Sequence, residues 1–256
     1  CQIVYFMFAY RNDESAKKEI VFSPLGNLLL NNLEKPDWVA KIFATMLYGL
    51  PFSHPYNKMN PAFDLFPMRL LFRLLTDERL DCKLYEDEVF YHVFWVKSID
   101  CRSYEHLVAT LLKYRALSDK RKLKMCTGRL SEEDALANAL HETTYLFGQL
   151  QSAGIVNIEK GPRIGSLRQG GFGRKDVPDF LSQEELAKHK PTGIRKYSRN
   201  AIKLTSTVLP LVNNLLSVYP YMEKPHDLLN TLGRQDYVLN LYNFYPLELL
   251  TDLGIR

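Results

Sequence analysis

Basic side chains are concentrated between residues 160 and 203, and the chemistry open to them is the binding of a polyanion. Four acidic residues oppose them in this stretch, and six glycines let its backbone approach a partner closely because they carry no side chain. Duplex DNA is the polyanion that a basic, glycine-rich segment favours, and a solvated surface loop is the alternative. The basic residues inside the stretch are Arg163, Arg168, Arg174, Lys175, Lys188, Lys190, Arg195, Lys196 and Arg199.

The candidate residues divide by the part of DNA that each would contact. Arginine can donate to both guanine acceptors in the major groove, at about 1–3 kcal/mol for each pairing, and Arg163, Arg168 and Arg174 are the candidates for this role. Asn200 could pair with an adenine edge or cap its own turn. A second basic cluster at 120–124 is either a solvated linker or a phosphate contact. Phosphate contacts are expected from Arg121, Lys122, Lys124, Lys175, Lys188, Lys190 and Lys196, and further DNA contacts from Arg195 and Arg199.

One set of acids has the spacing of a metal-dependent nuclease. Asp81 and Lys83, with Asp64 upstream, fit a pattern in which carboxylates hold Mg²⁺ and lysine positions the attacking water. However, Asp64 lies in a helical pattern and Asp81 between two helices, whereas such carboxylates belong on adjacent strands. Solvated charges explain these residues better, so no catalytic residue is assigned and the three remain a weak alternative. The histidines and cysteines share no metal-ligand spacing, and no cofactor or metal is predicted in this chain.

Strand patterns flank the basic stretch and would position it. The residues at 155–158 and 201–205 alternate between apolar and polar, as half-buried strands do. A helical pattern over 131–150 precedes them and ends at Gly154, a left-handed stop. Helix, strand, long loop and strand in this order are typical of the second half of a winged helix with an enlarged wing.

The first half of the chain predicts a hairpin followed by helices. Strand patterns at 6–10 and 19–22 form the hairpin, and Ser23 and Pro24 begin a helix. Asp37 would cap a second helix over 37–47. Patterns over 62–75 and 85–97 make a helix-turn-helix candidate, interpreted as scaffold first because acids at the start of its second helix would repel phosphate. Later helices are predicted at 103–116, capped by Ser103, and at 207–217.

Composition favours a soluble, cytoplasmic protein with a sizeable core. The chain has 256 residues, of which 46% are hydrophobic, and a formal net charge of +4. No apolar run approaches the ~18 residues that span a bilayer, so no membrane contact is expected. The predicted fold class is mainly α with short β-hairpins, in tandem winged-helix-like modules. Residues 1–50 would be the remnant of a first module, truncated before Cys1, and residues 51–256 a second module with the long basic loop at 160–203.

The order of segments resembles the DNA-recognition region of type IIS restriction endonucleases, the AlwI-like group with FokI-style architecture. The segments similar to that family are IVFSPLG at 20–26, KIFATML at 41–47 with Leu50 and Pro51, the helix pair at 66–97, and 144–158 with 200–205. This resemblance implies recognition of a short asymmetric site in double-stranded DNA. It also implies cleavage at a fixed distance by a Mg²⁺-dependent nuclease domain, attached beyond this chain or carried by a second subunit.

Two other functions remain open at the level of the sequence. The first is a winged-helix transcriptional regulator or interaction module without a nuclease. The second is a self-contained metal nuclease that uses Asp64, Asp81 and Lys83.

Overall fold

The computed structural model describes residues 8–11, 19–51, 63–119, 121–122, 146–161, 163–165, 167–168, 171–172, 197–198, 200–232 and 250–251. This part of the chain is mainly helical with small antiparallel sheets. Its elements are β1 (Ala9–Arg11), β2 (Ile20–Phe22), α1 (Pro24–Leu30), α2 (Pro36–Gly49), α3 (Pro67–Leu75), a 3₁₀ turn (Glu78–Leu80), β3 (Leu84–Tyr85), α4 (Glu86–Glu88, continued by a π-helical turn at Val89–Val93), α5 (Cys101–Arg115), α6 (146–152), β4 (Val156–Glu159), β5 (Arg163–Gly165), β6 (Leu167–Arg168), β7 (Gly171–Phe172), β8 (Tyr197–Ser198), β9 (Ala201–Leu204), α7 (Leu209–Val218) and α8 (Pro225–Leu232).

The predicted N-terminal hairpin and the helix after it are confirmed. β1 and β2 pair antiparallel, with Ala9 opposite Phe22. Ser23 is the N-cap of α1: its hydroxyl accepts the Gly26 amide at 3.1 Å and donates to the carbonyl oxygen of Phe8 at 3.1 Å. Pro24 fills the first helical position, where its missing N–H costs nothing. One serine therefore joins the hairpin to α1.

Two of the predicted helix caps are wrong. Helix α2 begins at Pro36 after Lys35, so Asp37 lies inside the first turn and is not the cap. The proline sets the start because its fixed φ suits the first helical position. Helix α5 is capped by Asp100, whose carboxylate accepts the Ser103 amide at 2.7 Å, while Ser103 accepts the Asp100 amide at 2.8 Å. Ser103 is thus the third residue of a capping box rather than the cap.

The helix-turn-helix candidate is interior scaffold. Nearly every residue of α3 is buried, including the side chain of Arg69, so this helix has no face to offer a DNA groove. The second helix starts at Glu86 and ends at Val93, shorter than the predicted 85–97. Between them the chain forms a 3₁₀ turn and a strand, because Asp81 and Cys82 adopt positive φ angles of 56° and 49° that stop the turn.

A three-stranded antiparallel sheet holds the strands that flank the basic stretch. β9 lies in the middle, between β3 and β4, and Ile202 is opposite both Leu84 and Ile158. Helix α6 leads into this sheet and ends as predicted at Gly154, with φ of 74°. The amide of Ile155 donates to the carbonyl of Leu150 at 2.9 Å, the bond that closes a left-handed helix stop.

One hydrophobic core unites residues from both sides of the predicted boundary at residue 50. Leu25 and Met46 precede that boundary, whereas Leu70, Leu111 and Val212 follow it, and all five belong to the same cluster of buried side chains. The division into modules at 1–50 and 51–256 stays a prediction. No helix in the portion of the chain placed by the structure is long and apolar enough to cross a membrane.

Candidate nucleic-acid interface

Residues 160–200, the basic arm, leave one end of the three-stranded sheet and return to it. β4 and β9 pair in antiparallel register from Val156 opposite Leu204 to Glu159 opposite Ala201. The pairing continues in the arm, where β5 lies beside β8 with Arg163 opposite Ser198. β6 and β7 then form a further short hairpin. Strand pairing therefore resumes in the arm as a separate two-stranded sheet, and both ends of the arm leave the core side by side.

Asn200 joins the two ends of the arm and ties them to α4. Its side-chain oxygen accepts the amide of Gly161 at 3.2 Å, and its side-chain nitrogen donates to the Glu86 carboxylate at 3.3 Å. The backbone amide of Glu86 donates to the carbonyl of Asn200 at 2.9 Å. Both the oxygen and the nitrogen of the Asn200 side chain thus have hydrogen-bond partners within the chain. Contact with an adenine edge stays a prediction.

The three acids at the start of α4 form a buried network beside the arm. The guanidinium of Arg115 donates to both carboxylate oxygens of Glu88, at 2.7 and 3.0 Å, and the hydroxyl of Tyr114 donates to Asp87 at 2.9 Å. Burial raises the pKa of Glu88, and the hydrogen bonds from Arg115 oppose that rise. Breaking such a buried pair leaves an uncompensated charge, so the network holds α4 and α5 in fixed relation.

Sequence reasoning missed this network. Three consecutive acids at the start of a helix are also compatible with an exposed first turn, where the helix dipole favours them. In the structure Glu86, Asp87 and Glu88 are all buried. Two of their partners, Tyr114 and Arg115, lie on α5.

The surface of the sheet that faces away from the core carries charged and aromatic groups. Lys203 on β9 contacts Glu159 on β4 at 2.6 Å, and this hydrogen bond lowers the pKa of Glu159. Lys83, which directly precedes β3, lies 5.7 Å from the centroid of the Tyr85 ring, and the guanidinium of Arg115 lies 5.3 Å from the same centroid. We call Lys83, Tyr85, Asn157, Glu159 and Lys203 the polar sheet face.

Asp64, Asp81 and Lys83, the residues of the weak nuclease alternative, do not share one set of partners in the structure. The carboxylate of Asp64 accepts the amide of His226 at 2.9 Å, at the start of α8. Asp81 lies 3.9 Å from Lys83 and 3.7 Å from Arg115. Within the described ranges, no group of three or more His, Cys, Asp or Glu side chains is arranged to hold a metal ion. The geometry therefore assigns no metal centre to that part of the chain.

The second basic cluster divides between surface and interior. Arg121 is exposed, as a phosphate contact would be. Lys122 is only 1% exposed, and its ammonium donates to the carbonyl of Arg115 at 3.0 Å and lies 5.6 Å from the Tyr114 ring. The structure thus gives Lys122 an internal role at the end of α5, at odds with the expected phosphate contact.

The remaining candidates belong to the basic arm and its approach. The structure describes the backbone of Arg163 in β5 and of Arg168 in β6. The predicted contacts that lie outside the described residues are Lys124, Arg174, Lys175, Lys188, Lys190, Arg195, Lys196 and Arg199.

Comparison with known proteins identifies similar sequences. The family described as "Type II restriction endonuclease HgaI, N-terminal domain" matches residues 1–219. The chain is also 33% identical over 254 residues to the type II restriction enzyme HgaI of Avibacterium volantium. That alignment covers 98% of this chain and 48% of the relative, so the chain spans about half the length of the curated protein it matches.

Proposed function

We propose, because this chain belongs to the family of type II restriction endonuclease HgaI N-terminal domains, that it is the part of a restriction enzyme that binds double-stranded DNA. The observation that carries the proposal is the way the core holds the basic arm. β4 and β9 pair over the whole of their length and hold both ends of the arm, and Asn200 ties these ends to α4.

The charge of the arm suits a duplex better than a small anion. Double-stranded DNA carries one negative charge per ~1.7 Å of its axis, so a long cationic segment can contact many phosphates at once. A support fixed by a buried network lowers the ordering cost of such contacts, because the ends of the arm are already held in place. The basic arm therefore attracts duplex DNA of any sequence, and contacts with base edges would add specificity to this binding.

In this proposal, the arm is an enlarged wing of a winged-helix arrangement. Helix α6, strand β4, the arm and strand β9 follow one another in the order that such a wing requires. Arg163, Arg168 and Arg174 contact base edges in the major groove, whereas the lysines of the arm contact phosphates and set the register.

Cleavage belongs to a separate nuclease domain in this proposal. The relative is about twice as long as the stretch aligned with this chain, which leaves room for such a domain or for contacts with a second subunit. A nuclease of this kind holds Mg²⁺ between carboxylates. We further propose the type IIS mode, in which a short asymmetric site is bound and cleavage occurs at a fixed distance, in the cytoplasm.

Binding selection followed by salt titration tests this function. Random duplexes are first selected for binding, and the affinity of the selected duplex is then measured from about 50 to 200 mM salt. About six neutralised phosphates predict a log–log slope near −5. A slope near zero, or a selection that yields no preferred sequence, contradicts the proposal.

A matched pair of arginine variants separates base reading from general attraction. Arg168→Gln should weaken binding to the selected duplex by roughly tenfold to a hundredfold, corresponding to about 1–3 kcal/mol, with a smaller effect on a scrambled duplex. Arg102→Gln removes an exposed arginine from the first turn of α5 and should change neither affinity. Equal losses with both duplexes would exclude base contact by Arg168.

A further inference from the structure

The polar sheet face lies on the opposite side of the sheet from the core. Directly opposed residues of an antiparallel pair project from the same side. Leu84, Ile158 and Ile202 are opposed and packed in or against the core, so their sequence neighbours must project outward. Tyr85, Asn157, Glu159 and Lys203 occupy those alternate positions, and the exposure of Asn157 and Glu159 agrees with this.

This face begins at the point where the basic arm leaves the core. Glu159, Ala201 and Tyr85 form the last paired row of the sheet before the arm. Lys203 lies two residues further along β9, which is about 7 Å from that row. A duplex held along the arm would therefore come within reach of the lysines on this face.

Burial decides which cations of this region are available to a ligand. The side chain of Arg115 is mostly buried and committed to the buried Glu88. Lys203 is 40% exposed and its partner Glu159 is 50% exposed, whereas Lys83 is 23% exposed and its partner Asp81 is 71% exposed. Ion pairs this exposed contribute little to stability, so their exchange for another anion is energetically easy. Lys83 and Lys203 are thus the cations that can change partner.

Hydrogen-bonding groups beside the two lysines suit phosphate oxygens. Asn157 lies directly opposite Lys203 in the register and is exposed, so its side-chain amide offers a neutral donor next to the ammonium. The ring of Tyr85 lies near both Lys83 and Arg115, and its position limits where the Lys83 stem can go. Two ammonium groups and one amide donor on a sheet form a short row of the kind that phosphates accept.

We propose that the polar sheet face is a second DNA contact, in which Lys83 and Lys203 bind backbone phosphates of the duplex held by the basic arm. In the free protein, Asp81 and Glu159 occupy the two lysines, and on binding the phosphates replace these carboxylates. The contact carries no base information, so it adds affinity and fixes how the duplex lies against the core. This inference rests on the proposed DNA binding and extends it to residues outside the arm.

Charge removal on this face, measured by salt dependence, tests the proposal. Lys203→Gln should make the log–log slope less negative by about 0.9, and Lys83→Gln with Lys203→Gln by about 1.8, equally on selected and scrambled duplexes. Lys113→Gln is the control, because Lys113 is exposed on α5 and is about 200° around the helix from Arg115. This control should leave the slope unchanged.

A second variant distinguishes a binding surface from a purely structural ion pair. Glu159→Gln keeps Lys203 and removes the carboxylate that competes for it, so affinity for duplex DNA should rise. A structural pair would give unchanged or weaker binding. Urea unfolding of each variant should give the wild-type midpoint, since all three side chains are partly or well exposed.

The outcomes separate this inference from the function on which it rests. If the wild-type protein binds duplexes with a steep salt slope but the lysine variants keep that slope, the sheet-face contact is refuted and the arm remains the binding element. If the wild-type protein shows no salt-dependent binding to any duplex, the proposed function fails and the sheet-face contact fails with it.

Discussion

Gly26 occupies the closest approach between the hairpin and α1. A Cβ atom built at this position would overlap the carbonyl oxygen of Phe8 and come within 3.2 Å of the Phe22 ring. The same carbonyl accepts hydrogen bonds from the amide and the hydroxyl of Ser23. The backbone of Phe8 cannot withdraw without losing those bonds, so the position requires a residue without a side chain.

Alanine at position 26 should therefore destabilise the fold. We expect Gly26→Ala to lower the free energy of unfolding by about 2–3 kcal/mol, because overlap with backbone must be relieved by shifting a strand. Urea denaturation followed by far-UV circular dichroism measures this change.

Gly148 provides the matched control for that substitution. It lies within α6 and a Cβ atom there would meet nothing within 4 Å. Gly148→Ala should leave stability unchanged or raise it by about 0.5–1 kcal/mol, since alanine favours the helical backbone. Equal losses at both positions would show that crowding at Phe8 is not the cause.

At the scale of elements, a carboxylate joins the 3₁₀ turn to α5. Asp77 is nearly buried and accepts hydrogen bonds from the Arg79 guanidinium at 2.9 and 2.7 Å and from the Tyr104 hydroxyl at 2.8 Å. Arg79 also contacts Glu105 on α5 at 2.5 Å. These hydrogen bonds, led by that from Arg79, lower the pKa of Asp77 to about 2.

The low pKa of Asp77 predicts that part of the free energy of unfolding is lost in acid. Because the folded-state pKa lies below that of the unfolded chain, the unfolded state takes up the proton first as the pH falls. The stabilisation should be complete above about pH 4 and be lost toward pH 2. We expect about 1–2 kcal/mol, less than the full shift implies because Arg79 is 44% exposed and screened by solvent.

Urea unfolding at a series of pH values measures this dependence. Asp77→Asn should flatten the loss between about pH 4 and pH 2. Glu78→Gln removes an exposed acid from the same turn and should retain the wild-type dependence. An unchanged acid limb in Asp77→Asn would mean that other groups are responsible.

The elements also mark the limit of what local sequence could predict. Ser23 and Gly154 were predicted correctly, because a cap with proline behind it and a glycine after a helical pattern act through their nearest neighbours. Asp37 and Ser103 were assigned as caps wrongly, because several residues near each start could serve and only the backbone decides among them.

The hydrogen-bond partners around the basic arm could not be predicted from local sequence, because they are distant from one another in the chain. Arg115 bonds Glu88 across 27 residues, and Asn200 bonds Glu86 across 114. No periodicity encodes such pairings. The strands that carry the arm were predictable from alternation, whereas the network that holds its ends depends on how α4 and α5 meet.

At the scale of the whole molecule, Arg69 connects α3 to residues that follow α7. Its side chain is completely buried and lies over the rings of Phe66 and Tyr48. It donates to the carbonyl of Tyr48 at 2.9 Å and to that of Pro220 at 3.1 Å, and contacts the Glu223 carboxylate at 2.5 Å. A cation so enclosed is tolerated because each contact compensates part of its lost hydration.

Replacement of Arg69 should therefore be costly. Arg69→Met keeps most of the apolar stem but leaves two carbonyl groups without this donor, so we expect a loss of about 3 kcal/mol. Glu223→Gln keeps an acceptor at a partly exposed position but removes the negative charge beside the buried guanidinium, so we expect a smaller loss of about 1–2 kcal/mol. Chemical denaturation of the two variants compares them, and a larger loss in Glu223→Gln would mean that the ion pair outweighs the carbonyl contacts.

The reach of Arg69 past α7 bears on where this protein can be divided. The family match ends at residue 219, yet Pro220 and Glu223 accept hydrogen bonds from Arg69, and the amide of His226 is held by Asp64. A fragment that ends at residue 219, or a chimaera joined there to a foreign nuclease, would lack Pro220 and Glu223. The buried guanidinium of Arg69 would then lose two of its hydrogen-bond acceptors. Junctions for such hybrids belong beyond Leu250, whose fully buried side chain is also part of the hydrophobic core.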